Sequence, residues 1–319
     1  MNILVTGGIG FIGSHLCEAL LVRGHSVVAF DNLDPFYPPA RKQANLDLLR
    51  NKRHFSYIHG DVRRRSDLHK AFKERNIEHV FHLAGRGGMT PSVAKPLLYL
   101  DETVRATLLV LECCREFGVA SFVHAGSSSV YGRSDAKRFS ESLSTDMPTA
   151  PYAAFKKADE LIGHAYHHLH GMTVVNARLF SVYGPRGRPD QIIYKMTAAI
   201  DAETPLLWYE PEPIRDFTYV SDIVDGLIRC LDLPPHTYEV LNLAYGQPYA
   251  LSTVVKLVEK ALGKKAVFKK SGPPPRSDFP RTCADITKVR RVLSWRPQVP
   301  LSNGIGLFVD WYRNIEAQS

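Results

Sequence analysis

The chain opens on NILVT, an apolar, β-branched run, and turns at once into Gly7-Gly-Ile-Gly-Phe-Ile-Gly13 before a helical pattern begins near Phe11. Glycines at this spacing leave few alternatives. They admit a tight turn, let backbone come close to a bound anion and allow the following helix to pack tightly, while the first N–H groups of that helix have no partners inside it. Strand, glycine turn and helix in that order make a pyrophosphate cradle, and the spacing satisfies both G-x-G-x-x-G and G-x-x-G-x-x-G. Gly7, Gly10, Phe11, Ile12 and Gly13 are therefore candidate cofactor contacts.

A second strand, SVVAF, ends in Asp31, near the roughly 20-residue offset at which an acid accepts hydrogen bonds from an adenosine 2′-hydroxyl. The same acid repels a 2′-phosphate, and no arginine immediately follows it, so NAD is expected in preference to NADP. Gly60-Asp61-Val62 after a third strand offers an adenine contact. His82-Leu83-Ala84-Gly85 after a fourth lets the chain pass close to the cofactor.

Strand-like runs (NILVT, SVVAF, FSYIH, HVFHLA, ASFVHAG, TVVNARL) alternate with helical patterns at 11–23, 66–74, 96–117 and 152–170. Such alternation predicts an α/β fold, a Rossmann-like doubly wound parallel sheet with helices on both faces. The regularity fades after about residue 178, where YGPRGRP clusters Gly and Pro; helices at 191–203, 251–262 and 301–316 then mix with short strands and a GPPPR loop. The expected organisation is an NAD-binding domain over 1–175 plus about 214–246. A smaller C-terminal α/β substrate-binding domain takes 176–213 plus 247–319.

Composition removes other classes. With 319 residues and 45% apolar content the chain can bury a large core, and no run approaches the roughly 18 apolar residues of a membrane span. MNILVTGG carries neither a basic nor a long apolar leader region, so no signal peptide is expected. Five scattered cysteines without C-x-x-C spacing argue against zinc and disulfides and suit a reducing cytoplasm. The net charge of +8 is dispersed and not gathered into aromatic-interleaved patches, which points to a small anionic ligand and not to nucleic acid.

PYAAFKKADE begins a helical stretch in which Tyr152 and Lys156 lie about 40° apart on a wheel of about 100° per residue. Ala154, Ala158, Leu161, Ile162, Ala165 and Leu169 form an apolar stripe on the other side. That stretch alone fits a working pair and a solvated i,i+4 pair equally. Upstream, HAGSSSVYG closes the fifth strand, where a doubly wound sheet presents its ligand crevice.

Taken together, TGGIGFIGSH, DNL, GDV, HLAG, SSSVYG, PYAAFKK, LFSVYGPRGRPD, RDFTYVSDIVDG and ADITKVRRVLSWRP resemble the extended short-chain dehydrogenase/reductases, and within them the NAD-dependent nucleotide-sugar epimerases, over nearly the whole chain. The resemblance implies Tyr152 as catalytic base, Lys156 as its partner and nicotinamide-ribose ligand, and Ser127 as the group that holds the sugar hydroxyl. Asp31 and Asn32 would contact the cofactor, and Ser128 and Ser129 the sugar. A phenol with an ordinary pKa of about 10 is a poor base at neutral pH, but a nearby ammonium and a positive nicotinamide both favour its ionised form. Related dehydratases carry Asp-Glu after the catalytic hydroxyl residue. This chain has Ser128-Ser129, so the resemblance implies 4-epimerisation through a 4-keto sugar.

SVYGPRGRPD resembles the stretch of UDP-glucuronate 4-epimerases in which a hydroxyl residue and an arginine lie near the sugar carboxylate; the matching positions are Ser181 and Arg188. A guanidinium suits a carboxylate bidentately. The alternative for Arg188 is a loop residue paired to Asp190. Thr90-Pro91-Ser92 and Gln191 depart from the family pattern, which keeps UDP-glucose or UDP-N-acetylglucosamine epimerases, and a dehydratase or reductase, as alternatives. Arg215 resembles a UDP-diphosphate clamp, Arg276 and Asp278 a ribose-flanking pair, and Asp216 and Tyr219 structural residues. The histidines of HAYHHLH, 164–170, read as a solvated helix face and not as a metal site. The apolar stripe on the Tyr152 helix and a similar one with Val104, Leu108 and Leu111 resemble helices that pair two subunits, so a homodimer is expected, although they could instead cover the sheet.

Overall fold

The computed structural model describes residues 1–73 and 75–316. Seven parallel strands form one sheet: β1 (Asn2–Thr6), β2 (Ser26–Asp31), β3 (Phe55–His59), β4 (His79–His82), β5 (Ser121–Ser127), β6 (Thr173–Leu179) and, late in the chain, Tyr238–Leu243. Their spatial order is Tyr238–Leu243, β6, β5, β4, β1, β2, β3. The chain winds outward from β1 through β2 to β3, then returns to β4 and winds the other way. The reversal opens a crevice at the carboxyl ends of β1 and β4, where such sheets bind ligands.

Alternation of side chains explains the two-sided burial. Ile3 and Val5 of β1 join one hydrophobic cluster, with α1 (Phe11–Val22); Leu4 joins a second on the opposite face, with α3 (Arg65–Phe72) and α6 (Ala106–Glu116). Both faces are thus sealed, and the strands can be near-continuously apolar. Between β2 and β3 lies α2 (Pro39–Leu49), which no sequence pattern above anticipates; Pro39 at its first position fits a helix start. The helix expected at 66–74 is observed as Arg65–Phe72, and residue 74 lies outside the described residues. The stretch expected as one helix over 96–117 is preceded by α4 (Met89–Ala94) and divided into α5 (Pro96–Leu100), a π-helical turn (Asp101–Arg105) and α6.

The helix α7 (Pro151–His170) begins with Pro at its first turn and ends on Gly171 in the left-handed conformation, φ 65°. It buries Ala153, Lys156, Asp159, Glu160 and Gly163, while Leu161 and Leu169 stay 60% and 69% exposed. Leu161 and Leu169 therefore do not cover the sheet, whereas Ile162 of the same stripe packs on the second hydrophobic cluster. Charge also docks this helix: Arg178 of β6 makes two hydrogen bonds to Glu160, at 2.7 and 2.8 Å, with both side chains almost wholly buried. On the other stripe, Leu111 is fully buried and Leu108 is 40% exposed.

Beyond β6 come β7 (Ser181–Tyr183), α8 (Ile192–Asp201), β8 (Pro205–Trp208), β9 (Ile214–Tyr219), α9 (Val220–Arg229), β10 (Tyr238–Leu243), β11 (Pro248–Ala250), α10 (Leu251–Leu262), β12 (Val267–Lys270), α11 (Thr287–Leu293) and α12 (Leu301–Glu316). Of the segment 214–246, β10 pairs in parallel with β6, whereas β9 belongs to a separate three-stranded sheet with β7 and β11. Residues 317–319 of the expected second domain lie outside the described residues. No helix among the described residues is long and apolar enough to cross a membrane.

Removing one partner of a buried ion pair strands the other charge. The variant Arg178→Met should lower stability by about 3–5 kcal/mol, read as a lower denaturant midpoint at unchanged slope. An unchanged midpoint would show that α7 is docked by something else.

Candidate active site

The cleft at the carboxyl ends of β1 and β4 is floored by the glycine turn. Gly7 has φ +68°, and a β-carbon on Gly13 would sit 2.1 Å from the Gly7 carbonyl oxygen, so backbone alone fits there. The N-cap of α1 is Gly10 with no side-chain cap, which leaves the first-turn N–H groups facing the cleft. A cradle that any side chain would fill, with uncapped helix donors above it, fits a dinucleotide pyrophosphate. Each expected cofactor contact lines this cleft: Gly7, Gly10, Phe11, Ile12, Gly13, Asp31, Asn32, Asp61, Val62, Leu83, Ala84, Gly85, Tyr152 and Lys156.

Asp31 is buried at the end of β2, accepting from the Leu33 N–H at 2.9 Å and from Lys42 Nζ at 3.2 Å. Lys42, on α2, also lines the cleft and was not anticipated, because α2 itself was not. Asp61 is gripped by Arg63 at 2.6–3.1 Å. Burial would raise its pKa, but the Arg63 hydrogen bonds outweigh that and hold the carboxyl below its ordinary range.

Ser127 ends β5 and accepts the Ser129 N–H at 3.1 Å. Tyr152 and Lys156 project from the first turns of α7, and all three line the cleft. The Tyr152 N–H, which lacks an intrahelical acceptor, donates to Ser92 Oγ at 3.1 Å, and its ring lies edge-to-face with Tyr99 at 6.2 Å. Lys156 Nζ donates to the Ala125 carbonyl at 3.0 Å and lies 3.0 Å from His124 Nε2 and 3.6 Å from Asp159. Burial, then the Lys156 charge, lowers the pKa of His124. His124 Nδ1 lies 3.3 Å from Asn176 Oδ1, and Nε2 lies between Lys156 Nζ and Asp159 Oδ2, 3.3 Å from the latter. Lys156 is therefore fixed from below by strand β5.

The substrate candidates divide. Arg188 lines the cleft, yet Nε and Nη2 are paired to Asp190 at 2.8 and 2.9 Å. Gln191 accepts the Arg188 N–H at 3.1 Å and donates to the Val182 carbonyl at 3.2 Å. Ser181 does not line the cleft but an adjoining cavity with Tyr183 and Phe308, and Phe180, Val182 and Gln191 line both. Ser128 is half-buried, and Ser129 Oγ is buried with no hydrogen-bond partner among the described residues; neither lines the cleft. Arg215 and Asp278 meet each other at 2.6 Å, while Arg276 is exposed. Thr90, one of the departures from the family pattern, meets Ser277 at 3.0 Å and tethers the loop that bears Arg276 and Asp278. Asp216 is fully buried, accepting from the Gly246 and Ala284 N–H groups at 3.0 Å each. His164, His168 and His170 are exposed, and no group of three or more potential metal ligands occurs among the described residues.

Residues 3–244 match the NAD dependent epimerase/dehydratase family. The chain is 37% identical over 321 residues to a UDP-glucuronate 4-epimerase of Thermodesulfobacterium geofontis, covering 98% of this chain and 97% of that one. It superposes with a TM-score of 0.91 on a UDP-glucuronic acid 4-epimerase from Bacillus cereus in complex with UDP-glucuronic acid and NAD, at 32% identity over 99% of this chain and 100% of that one. A Thermus thermophilus UDP-glucose 4-epimerase complexed with NAD gives 0.88 at 30% identity, over 98% and 99% of the two chains.

Proposed function

We propose a 4-epimerase that interconverts UDP-glucuronate and UDP-galacturonate, and the premise is that the chain belongs to the NAD dependent epimerase/dehydratase family. The reaction class is NAD-dependent 4-epimerisation of a UDP-sugar. The observation that carries the reading is the convergence of Ser127, Tyr152 and Lys156 on the cleft whose floor is the glycine turn.

In this reading the glycine turn and the α1 N-terminus hold the pyrophosphate, Asp31 the adenosine ribose, and Lys156 the nicotinamide ribose. Bound NAD supplies a reversible hydride acceptor for C4 of the sugar. Tyr152 takes the proton of the C4 hydroxyl, and Ser127 orients that hydroxyl. No carboxylate follows Ser127 to drive elimination. The 4-keto sugar therefore turns over and is reduced on its other face, where Tyr152 returns the proton.

Arg188 supports glucuronate as the sugar. Asp190 takes Nε and Nη2, which leaves Nη1 to meet a carboxylate. A 4-keto glucuronate is a β-keto acid and loses CO2 once its carboxylate aligns with the carbonyl, so an anchor is chemically required. Exposed Leu161 and Leu169 on α7, with Leu108 on α6, support a homodimer paired through these helices. Five free, buried cysteines support a reducing compartment such as the cytoplasm.

Purified protein given UDP-glucuronate without added cofactor should form UDP-galacturonate with no net NADH absorbance. Tyr152→Phe should lower kcat by roughly 10²–10⁴-fold; full activity in that variant, or stoichiometric NADH from the wild type, would refute the reading. Offered beside UDP-glucose, UDP-N-acetylglucosamine and UDP-xylose, UDP-glucuronate should be the fastest substrate. Arg188→Ala should release CO2 and a UDP-4-keto-pentose from UDP-glucuronate, detected by mass spectrometry, and product without such leakage would remove Arg188 from the site.

A further inference from the structure

An epimerase of this kind must keep its dinucleotide through both halves of each turnover, and the cleft carries a device suited to that. The strand order β4, β1, β2 places the glycine turn, which follows β1, between the loop after β2 and the loop after β4. A contact between those two outer loops must cross the cleft above the turn. Arg86, in the loop after β4, makes that contact: its Nη2 donates to Asp34 Oδ1, in the loop after β2, at 2.7 Å.

The crossing is braced. Arg86 Nε donates to Glu102 Oε2 at 2.7 Å and Nη2 to Glu102 Oε1 at 3.2 Å, from the π-helical turn. Glu102 also lies 3.4 Å from Arg63 Nη1, and Arg63 grips Asp61 in the loop after β3. The Arg86 guanidinium carbon stands 4.8 Å from the centroid of Phe36, and that of Arg188 stands 5.4 Å from the same ring. The side chains of Asp34, Arg86 and Glu102 are only 24%, 16% and 11% exposed, so solvent screens them less than a surface pair. All of these residues line the cleft.

Two arginines facing three carboxylates are poorly placed to serve as phosphate ligands, since their charge is already spent. We propose that Asp34, Arg86 and Glu102 form a clasp across the bound dinucleotide that slows its release. The ends of the clasp lie on two separate loops, so the Asp34–Arg86 contact can break while Arg86–Glu102 remains, letting cofactor in once and then holding it. This inference rests on the cofactor reading above and not on the identity of the sugar.

The test loads the full chain with NADH and follows its fluorescence as excess NAD displaces it. Charge-assisted hydrogen bonds are worth about 1.5–3 kcal/mol each, so Arg86→Ala should speed release about tenfold or more. Asp34→Asn keeps the acceptor for the Phe36 N–H, 2.9 Å away, and should speed release severalfold without disturbing the loop. Added salt should speed release from the wild type and have little effect on Arg86→Ala. Wild-type release rates in both variants, with unchanged cofactor-free melting temperatures, would overturn the clasp; if Arg86→Ala fails to fold, Asp34→Asn decides alone. A wild type that binds no dinucleotide would instead sink the cofactor reading, and the clasp with it.

Discussion

The contact between the backbone of Gly13 and the carbonyl of Gly7 sets the geometry of everything above it. With only 2.1 Å between that oxygen and the place a β-carbon would occupy, α1 starts directly over the end of β1 and points its free N–H groups into the cleft. The sheet reversal between β1 and β4 then brings the other loops around that point. Asp31 and Asp61 arrive from one side, Leu83–Gly85 from the other, and β5 carries Ser127 to the same level. An anionic cofactor is held by fixed dipoles that need no rearrangement when it binds.

The helix α7 is turned inside out relative to an ordinary surface helix. Its charged residues, Lys156, Asp159 and Glu160, face the sheet, and its leucines face outward. Burying ions costs desolvation that a paired geometry only partly offsets, so such a helix gains little stability over an apolar one but has a single permitted seat. That seat determines the height of Tyr152 and Lys156 above β5. Arg178 holds the helix through Glu160, and Ala125 and His124 hold Lys156 itself. Packing that looks inefficient as a core is therefore what seats Tyr152 and Lys156 together at the cleft.

What the sequence makes legible is what is local. The glycine turn, the alternation of strand and helix, and the one-turn spacing of Tyr152 and Lys156 are patterns within a few residues of each other, and the fold class and cleft follow from them. Contacts made between distant loops leave no such pattern. Lys42 reaches Asp31 from a helix hidden by its Pro38-Pro39 start and polar composition. Arg86 meets Asp34 and Glu102 across 52 and 16 positions, and Arg215 finds Asp278 across 63. Ser181 lines an adjoining cavity and not the cleft, a placement that the local sequence of β7 does not disclose.

The central claim is that C4 is inverted by removing and returning the same hydrogen within one closed site. UDP-glucuronate carrying deuterium at C4 tests it most directly. The account predicts UDP-galacturonate that retains the deuterium at C4, with none appearing in the water and none lost to free dinucleotide added to the mixture. Product that has exchanged its C4 label with solvent would contradict it, because the hydrogen would then have left as a proton.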